Sequence, residues 1–291
     1  MIKNIVFGGG GLKSWAYIGT IRALNEYINI TEIENVAGTS AGAIFGFFYI
    51  LRIPWGNLLE YNMILKHSSI LDLHNIQNIY SSRSLLKGKR FKEYLVDNIK
   101  DFINPEITFG EFKKICNIKF TVVCTNITKR KMELFNYETS PHVKIVDSLI
   151  ASCSLPILFP FYKIKNNYYC DGGVFNNFPT DLFDDVYTIG FCSSYNDLSY
   201  SEFSEFSEYP EYTENNENNN NEDISLHNFL SIFMNISKQK EKNLNEYCLL
   251  GKEHQKEFLN LKQSRDDIFT IYMIGYEKSK IIIFDNFIAL R

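Results

Sequence analysis

Glu34-Asn35-Val36-Ala37-Gly38-Thr39-Ser40-Ala41-Gly42 runs directly into Ala43-Ile44-Phe45-Gly46-Phe47-Phe48-Tyr49-Ile50-Leu51. Residues 34–37 read as a short strand, and residues 41–51 as an almost wholly apolar helix that has to be buried. Between them Gly38-Thr39-Ser40-Ala41-Gly42 fits G-x-S-x-G, the pattern of a serine on a sharp strand-to-helix turn. The flanking glycines answer a spatial demand, because the turn strains the backbone and strand and helix pass too close for a Cβ. Ser40 Oγ then stands at the head of a helix, free to attack an electrophile. The competing reading is a glycine-rich turn whose serine only caps the helix.

Upstream, Ile2 to Phe7 is a hydrophobic strand that ends in Gly8-Gly9-Gly10-Gly11-Leu12-Lys13-Ser14. A helix follows, with Trp15, Ile18, Ile21, Leu24, Tyr27 and Ile28 on one face. Consecutive glycines between a strand and a helix let main-chain N–H groups converge on an anion, either a phosphate or an oxyanion. Gly9-x-Gly11-x-x-Ser14 also approximates a dinucleotide fingerprint. That fingerprint requires an acidic residue at the end of the second strand, where this chain has Gly38-Thr39-Ser40.

Downstream, Pro54 to Lys114 reads as helical and polar-faced. It contains one basic cluster, Ser84 to Lys92, which continues into the amphipathic Tyr94-Leu95-Val96-Asp97-Asn98-Ile99. A solvated helix face is the plain reading of that cluster, and contact with anionic headgroups the functional one. Lys119 to Asn126 is a β-branched strand with Met132 to Asn136 as its hairpin partner. A helix runs from Val143 to Ser152, and prolines then keep Ser154 to Pro160 extended. Tyr168-Tyr169-Cys170 is a short strand delivering Asp171-Gly172-Gly173, a placement that suits either a functional carboxylate or a tight turn. Asp185 to Phe191 and Asp267 to Met273 read as further strands. Leu226 to Leu261 reads as helical, with a core stripe that includes Tyr247 and Cys248. Strands alternating with helices imply an α/β protein with a mainly parallel, helix-covered sheet.

The glycine loop, the elbow serine and the strand-end Asp-Gly-Gly form a combination that resembles the patatin-like phospholipase family. The resemblance rests on Gly9-Gly10-Gly11-Leu12-Lys13, Gly38-Thr39-Ser40-Ala41-Gly42, Asp171-Gly172-Gly173 and the segment Ala151 to Pro160, in the family's order. It implies a three-layer α/β/α sandwich and a metal-independent lipid acyl hydrolase of phospholipase A or lysophospholipase type, with no cofactor. Ser40 is then the nucleophile, Asp171 the base, and the amides of Gly9, Gly10 and Gly11 the oxyanion hole. Lys13, Gly38, Gly42, Gly172 and Gly173 complete the motifs. One departure is visible: the glycine usual after the basic residue is Ser14 here.

Acyl transfer needs a nucleophile, a proton acceptor and donors for the tetrahedral oxyanion. None of the five histidines, His67, His74, His142, His227 and His254, sits in a motif. A carboxylate in that role is a weak acceptor near pKa 3.9 unless burial disfavours its charged form. Tyr168 to Cys170 and the wall from Pro156 to Phe161 are the expected source of that burial.

At 291 residues, the expectation is one domain spanning 1–291, with its motifs in 5–181. From Ser201 the chain falls into acidic triplets with Glu at 202, 205, 208, 211, 214 and 217, giving a low-complexity insertion at about 197–223. A net charge of −4 gives no support to a general nucleic-acid binder. The six cysteines show no metal or disulfide spacing and read as reduced, buried thiols. No stretch reaches the roughly 20 apolar residues of a membrane span. The expected partners are a phospholipid or lysophospholipid substrate and, at most, a membrane surface met peripherally from the cytoplasm. A silent lipid-binding or partner-binding module, an acyltransferase and a thioesterase are the alternatives on the same scaffold.

Overall fold

The computed structural model describes residues 2–64, 72–74, 84–194, 248–250 and 264–289. The acidic triplets and most of 226–261 lie outside the described residues. Seven helices are described: α1 (Ala16–Tyr27), α2 (Ala41–Ile50), α3 (Trp55–Ile64), α4 (Lys89–Ile99), α5 (Phe109–Ile115), α6 (Ile145–Ser152) and α7 (Arg265–Ala289). The described strands are β1 (Asn4–Phe7), β2 (Asn35–Thr39), β3 (Lys119–Asn126), β4 (Lys131–Phe135), β5 (Tyr162–Ile164), β6 (Asn167–Asp171), β7 (Thr188–Ser194) and β8 (Cys248–Leu250).

The strands form one mixed sheet in the order β5-β6-β3-β2-β1-β7-β8, with β4 beside β3. β3, β2, β1, β7 and β8 run parallel, while β4, β6 and β5 add antiparallel pairs at one side. β1 is buried at every position and β3 at all but its first, as a parallel sheet covered on both faces requires. The architecture is the expected three-layer α/β/α sandwich.

Register aligns the strand ends that matter. Phe7 pairs with Gly38, and Gly38 with Val122, so the glycine loop and the serine turn leave the sheet at one edge. β3 is flanked by β2 at Val122 and Val123 and by β4 on its other side. β6 therefore takes over the β2 side of β3 where β2 ends: Thr39 pairs with Val123 and Asp171 with Cys124, the next residue along. Two segments 131 residues apart in sequence thus meet end to end.

Three sequence expectations are corrected. Residues 267–273 are not a strand but lie in the first turns of α7. Ser264 and Asp267 cap that helix reciprocally, with Ser264 N–H to Asp267 Oδ2 at 2.7 Å and Asp267 N–H to Ser264 Oγ at 3.2 Å. Cys248 belongs to the three-residue strand β8, paired with Cys192, rather than to a helical stripe. The strand placed at Asp185 begins at Thr188, after a 3-10 turn over Asp185–Tyr187. Between α3 and α4 the described residues form isolated bridges, Leu73 pairing with Leu86 and Ser84 with Ile157. No helix among the described residues is long and apolar enough to cross a membrane.

α7 packs along α1 through glycine. A Cβ on Gly19 would overlap the main chain of Tyr272 and Tyr276, and one on Gly275 would overlap the carbonyl of Ala16. Arg22 of α1 lies 4.0 Å from the Tyr276 ring and 4.9 Å from that of Trp55, and donates to Tyr272 Oη at 2.8 Å. Gly19→Val is expected to lose about 3 kcal/mol by overpacking, with Tm falling by roughly 10 °C in a thermal melt. An unchanged melt would contradict this packing.

Candidate active site

Ser40 sits where β2 turns into α2, with φ 53° and ψ −134°. For a residue with a side chain this conformation costs on the order of 1–3 kcal/mol and is tolerated where surrounding contacts enforce it. Here they do. A Cβ on Gly42 would overlap the carbonyl oxygens of Phe7 and Gly8, and one on Gly38 would lie 2.6 Å from Ala43 N. The Ser40 N–H donates to Ser152 Oγ at 2.8 Å, and Ser152 Oγ–H donates to Val123 O at 2.6 Å, tying the turn to α6 and β3.

The Ser40 side chain makes no cap bond to its own helix, which removes the capping reading. Its hydroxyl donates instead to Asp171 Oδ2 at 2.6 Å, with both residues buried. Asp171 is held at three further points. Its Oδ1 accepts from Gly173 N–H at 2.7 Å, its N–H donates to Ser154 O at 3.0 Å, and its carbonyl accepts from Thr125 Oγ1 at 2.8 Å. Gly172 has no room for a Cβ, which would overlap Val123 O.

Burial pushes the Asp171 carboxyl from 3.8 up to about 6, against the hydrogen bonds from Ser40 and Gly173, which pull it down. Cys124, Cys153 and Cys170 are buried thiols close enough to feel its charge. All three are pushed well above the ordinary thiol range, by burial first and by Asp171 second. The wall from Pro156 to Phe161 is mostly half-buried. Of the free thiols, Cys124, Cys153, Cys170 and Cys192 are buried as expected, whereas Cys116 is only partly buried.

The glycine loop closes the third side. The position a Cβ would take on Gly9 is 3.2 Å from Ser40 Cβ, and that Cβ would overlap Asn177 Oδ1. The three loop amides are not equivalent. Gly9 N–H donates to Asn177 O at 2.9 Å, whereas no backbone acceptor is described for Gly10 or Gly11 N–H. A Cβ on Gly10 would overlap Ser193 Oγ and lie 2.9 Å from Ser14 Oγ, so the serine standing in for the family's glycine packs under the loop. Lys13 lies in the 3-10 turn Gly11–Trp15, its N–H on Gly10 O at 3.0 Å. Of the histidines, His74 and His142 lie in described residues, and neither is a described partner of Ser40; His67, His227 and His254 lie outside them. Ser152 and Asn177 are the site residues that motif reading did not single out for a role.

An α/β/α sandwich with a serine on a strained strand-to-helix turn, beside a glycine-rich loop, defines the class as α/β proteins with a serine elbow. The chain belongs to the patatin-like phospholipase family, whose profile matches residues 5–184. It is 34% identical over 191 residues to "Probable lipid hydrolase 463L" of Invertebrate iridescent virus 6, a match covering 62% of each chain. The match thus spans about three-fifths of that relative's length. It is 24% identical over 184 residues to the mouse "1-acylglycerol-3-phosphate O-acyltransferase Pnpla3", covering 60% of this chain and 40% of that one. VipD from Legionella pneumophila shares the fold, with a TM-score of 0.64 at 16% identity over 98% of this chain and 67% of that chain.

Proposed function

We propose that this protein is a lipid acyl hydrolase of phospholipase A or lysophospholipase type, with Ser40 as nucleophile and Asp171 as its base. The observation that carries the reading is the 2.6 Å hydrogen bond from the Ser40 hydroxyl to a buried carboxyl raised to about 6. A carboxylate of that basicity is a better match to a hydroxyl proton than one near 4. Ser40 Oγ attacks the ester carbonyl while Asp171 Oδ2 takes its proton. The tetrahedral oxyanion meets the N–H groups of Gly10 and Gly11, and Asp171 returns the proton to the departing alcohol. Water then repeats the sequence on the acyl-serine and releases the fatty acid. With Gly9's amide held by Asn177, the oxyanion hole of this reading has two donors from the loop rather than three.

The relative named as an acyltransferase bears on the second half only, since an acyl-serine can be discharged to an alcohol as well as to water. The test is mass spectrometry of products from mixed phospholipid vesicles incubated with wild type and with Ser40→Ala. Free fatty acid and lysophospholipid from wild type alone are expected. Equal products from both proteins would overturn the assignment. We also propose that residues 1–291 act as one domain, since one large cluster of buried side chains extends from Ile2 to Ile283.

A further inference from the structure

Three planar, trans peptides of the glycine loop are pinned by their carbonyls, and this decides where the loop's free amides point. In a trans peptide the C=O and the following N–H are directed oppositely, so holding one aims the other. Tyr17 Oη donates to Gly8 O at 2.7 Å, and on the far side of that peptide Gly9 N–H is spent on Asn177 O. In the next peptide, Asn177 Nδ2 donates to Gly9 O at 3.4 Å, which turns Gly10 N–H the other way. In the third, Lys13 N–H donates to Gly10 O at 3.0 Å, which turns Gly11 N–H the other way.

Asn177 therefore grips Gly9 from both sides, by its main chain and by its side chain. It does so from the loop that carries Asp171. The position of a Cβ on Gly173, whose N–H serves Asp171 Oδ1, is 2.8 Å from Asn177 Oδ1. The neighbouring Asn176 closes onto the serine turn, its carbonyl accepting from Thr39 Oγ1 at 2.8 Å. One short segment thus touches all three parts of the site.

From this we infer that the Asn177 side chain is a positioning residue. It aims the Gly10 N–H at the developing oxyanion and sets the glycine loop in register with Ser40 and Asp171. The inference rests on the acyl-hydrolase reading above. It has a specific signature: the main-chain bond to Gly9 survives any substitution at 177, so the loop stays in place while the orientation of one donor is lost. Such a loss acts on the transition state, where the oxyanion exists, and not on ground-state binding.

The experiment compares wild type, Asn177→Ala, Asn177→Asp and Ser40→Ala on p-nitrophenyl butyrate, with rates of Ser40 phosphonylation by a fluorophosphonate and thermal melts alongside. For Asn177→Ala, kcat is expected to fall by about 10- to 100-fold with KM within about twofold of wild type. Phosphonylation is expected to slow in parallel, with the pH midpoint of kcat unchanged. Asn177→Asp keeps the shape but cannot donate to Gly9 O. It is expected to lose as much kcat and to shift the pH midpoint upward, because it adds a negative charge beside the Asp171 loop. If Asn177→Ala does not fold, Asn177→Asp decides. Wild-type kcat in a folded Asn177 variant, or a fall in kcat no larger than the loss of folded protein, overturns the inference while Ser40→Ala stays inactive. Activity retained in Ser40→Ala would instead overturn the reading on which it rests.

Discussion

Ser40→Ala is expected to lose ester hydrolysis by about 10⁴-fold or more, down to the background of the assay, while the protein stays folded. The size follows from the geometry of a covalent mechanism. The turn at Ser40 holds one Oγ against Asp171 at 2.6 Å and beside the Gly9–Gly11 loop. No other described hydroxyl has both a buried carboxylate acceptor and that cradle. The strain at φ 53° also predicts the sign of a second readout. Ser40→Gly, which removes the Cβ from an unfavourable backbone conformation, is expected to be more stable than Ser40→Ala in a chemical melt, the reverse of their order in a helix interior. A kinetic assay over a range of enzyme concentrations checks the first outcome, and residual activity above one hundredth of wild type would contradict it.

Asp171→Asn is expected to cost about 10³-fold in kcat/KM and, at neutral pH, to make the protein more stable. The two effects have one cause. Burial raises the carboxyl to about 6 from 3.8, so its folded form favours the proton more than its unfolded form does. Below about pH 4 both forms are protonated and the group has no differential effect. As pH rises toward 6 the unfolded chain ionises while the folded site keeps its proton, and stability falls. Above 6 the folded protein carries a buried charge, at a cost on the order of 3 kcal/mol. Asparagine carries no such charge. The Tm of Asp171→Asn should therefore exceed that of wild type at pH 8, and the difference should shrink toward nothing between pH 6 and pH 4. Wild-type kcat/KM should rise with pH through about 6 and level off above it. A variant less stable than wild type at pH 8 would show that ionised Asp171 is not a cost to the fold.

Much of this was legible in the chain because its signals are local. Glycine, serine and aspartate stand in short recognisable patterns at the ends of β1, β2 and β6. At Gly38 the demand for glycine is local, since a Cβ would meet Gly42 and Ala43, whereas at Gly42 and Gly172 the crowding comes from Phe7, Gly8 and Val123, far along the chain. The meeting of Ser40 with Asp171 is a different kind of fact. It depends on β6 succeeding β2 along the same side of β3, a long-range register that no window of sequence encodes. The role of Asn177 escaped for the same reason, since a lone asparagine has no local signature for orienting a main chain over 100 residues away. Ser152, though inside the Ala151 to Pro160 motif, gave no sign that its hydroxyl holds the Ser40 N–H.

The misread segment at 267–273 had the opposite fault. Ile268, Phe269, Ile271 and Tyr272 favour a strand in a short window. Over the longer one, the buried positions 268, 271, 272, 276, 279, 282 and 283 recur at helical spacing behind the Ser264 and Asp267 cap. Local propensity lost to a helix whose packing on α1 needed Gly275. Cys248 was drawn into a helical pattern because a three-residue strand leaves almost no trace of period two.

The central claim is that one serine, activated by one buried carboxylate, forms the acyl-enzyme. Its most direct test is intact-mass and peptide mapping after treatment with a fluorophosphonate at pH 8, on wild type, Ser40→Ala and Asp171→Asn. A single adduct confined to the peptide that contains Ser40, absent from Ser40→Ala and formed far more slowly in Asp171→Asn, is the predicted result. An unlabelled wild type, or an adduct that persists in Ser40→Ala, would contradict it.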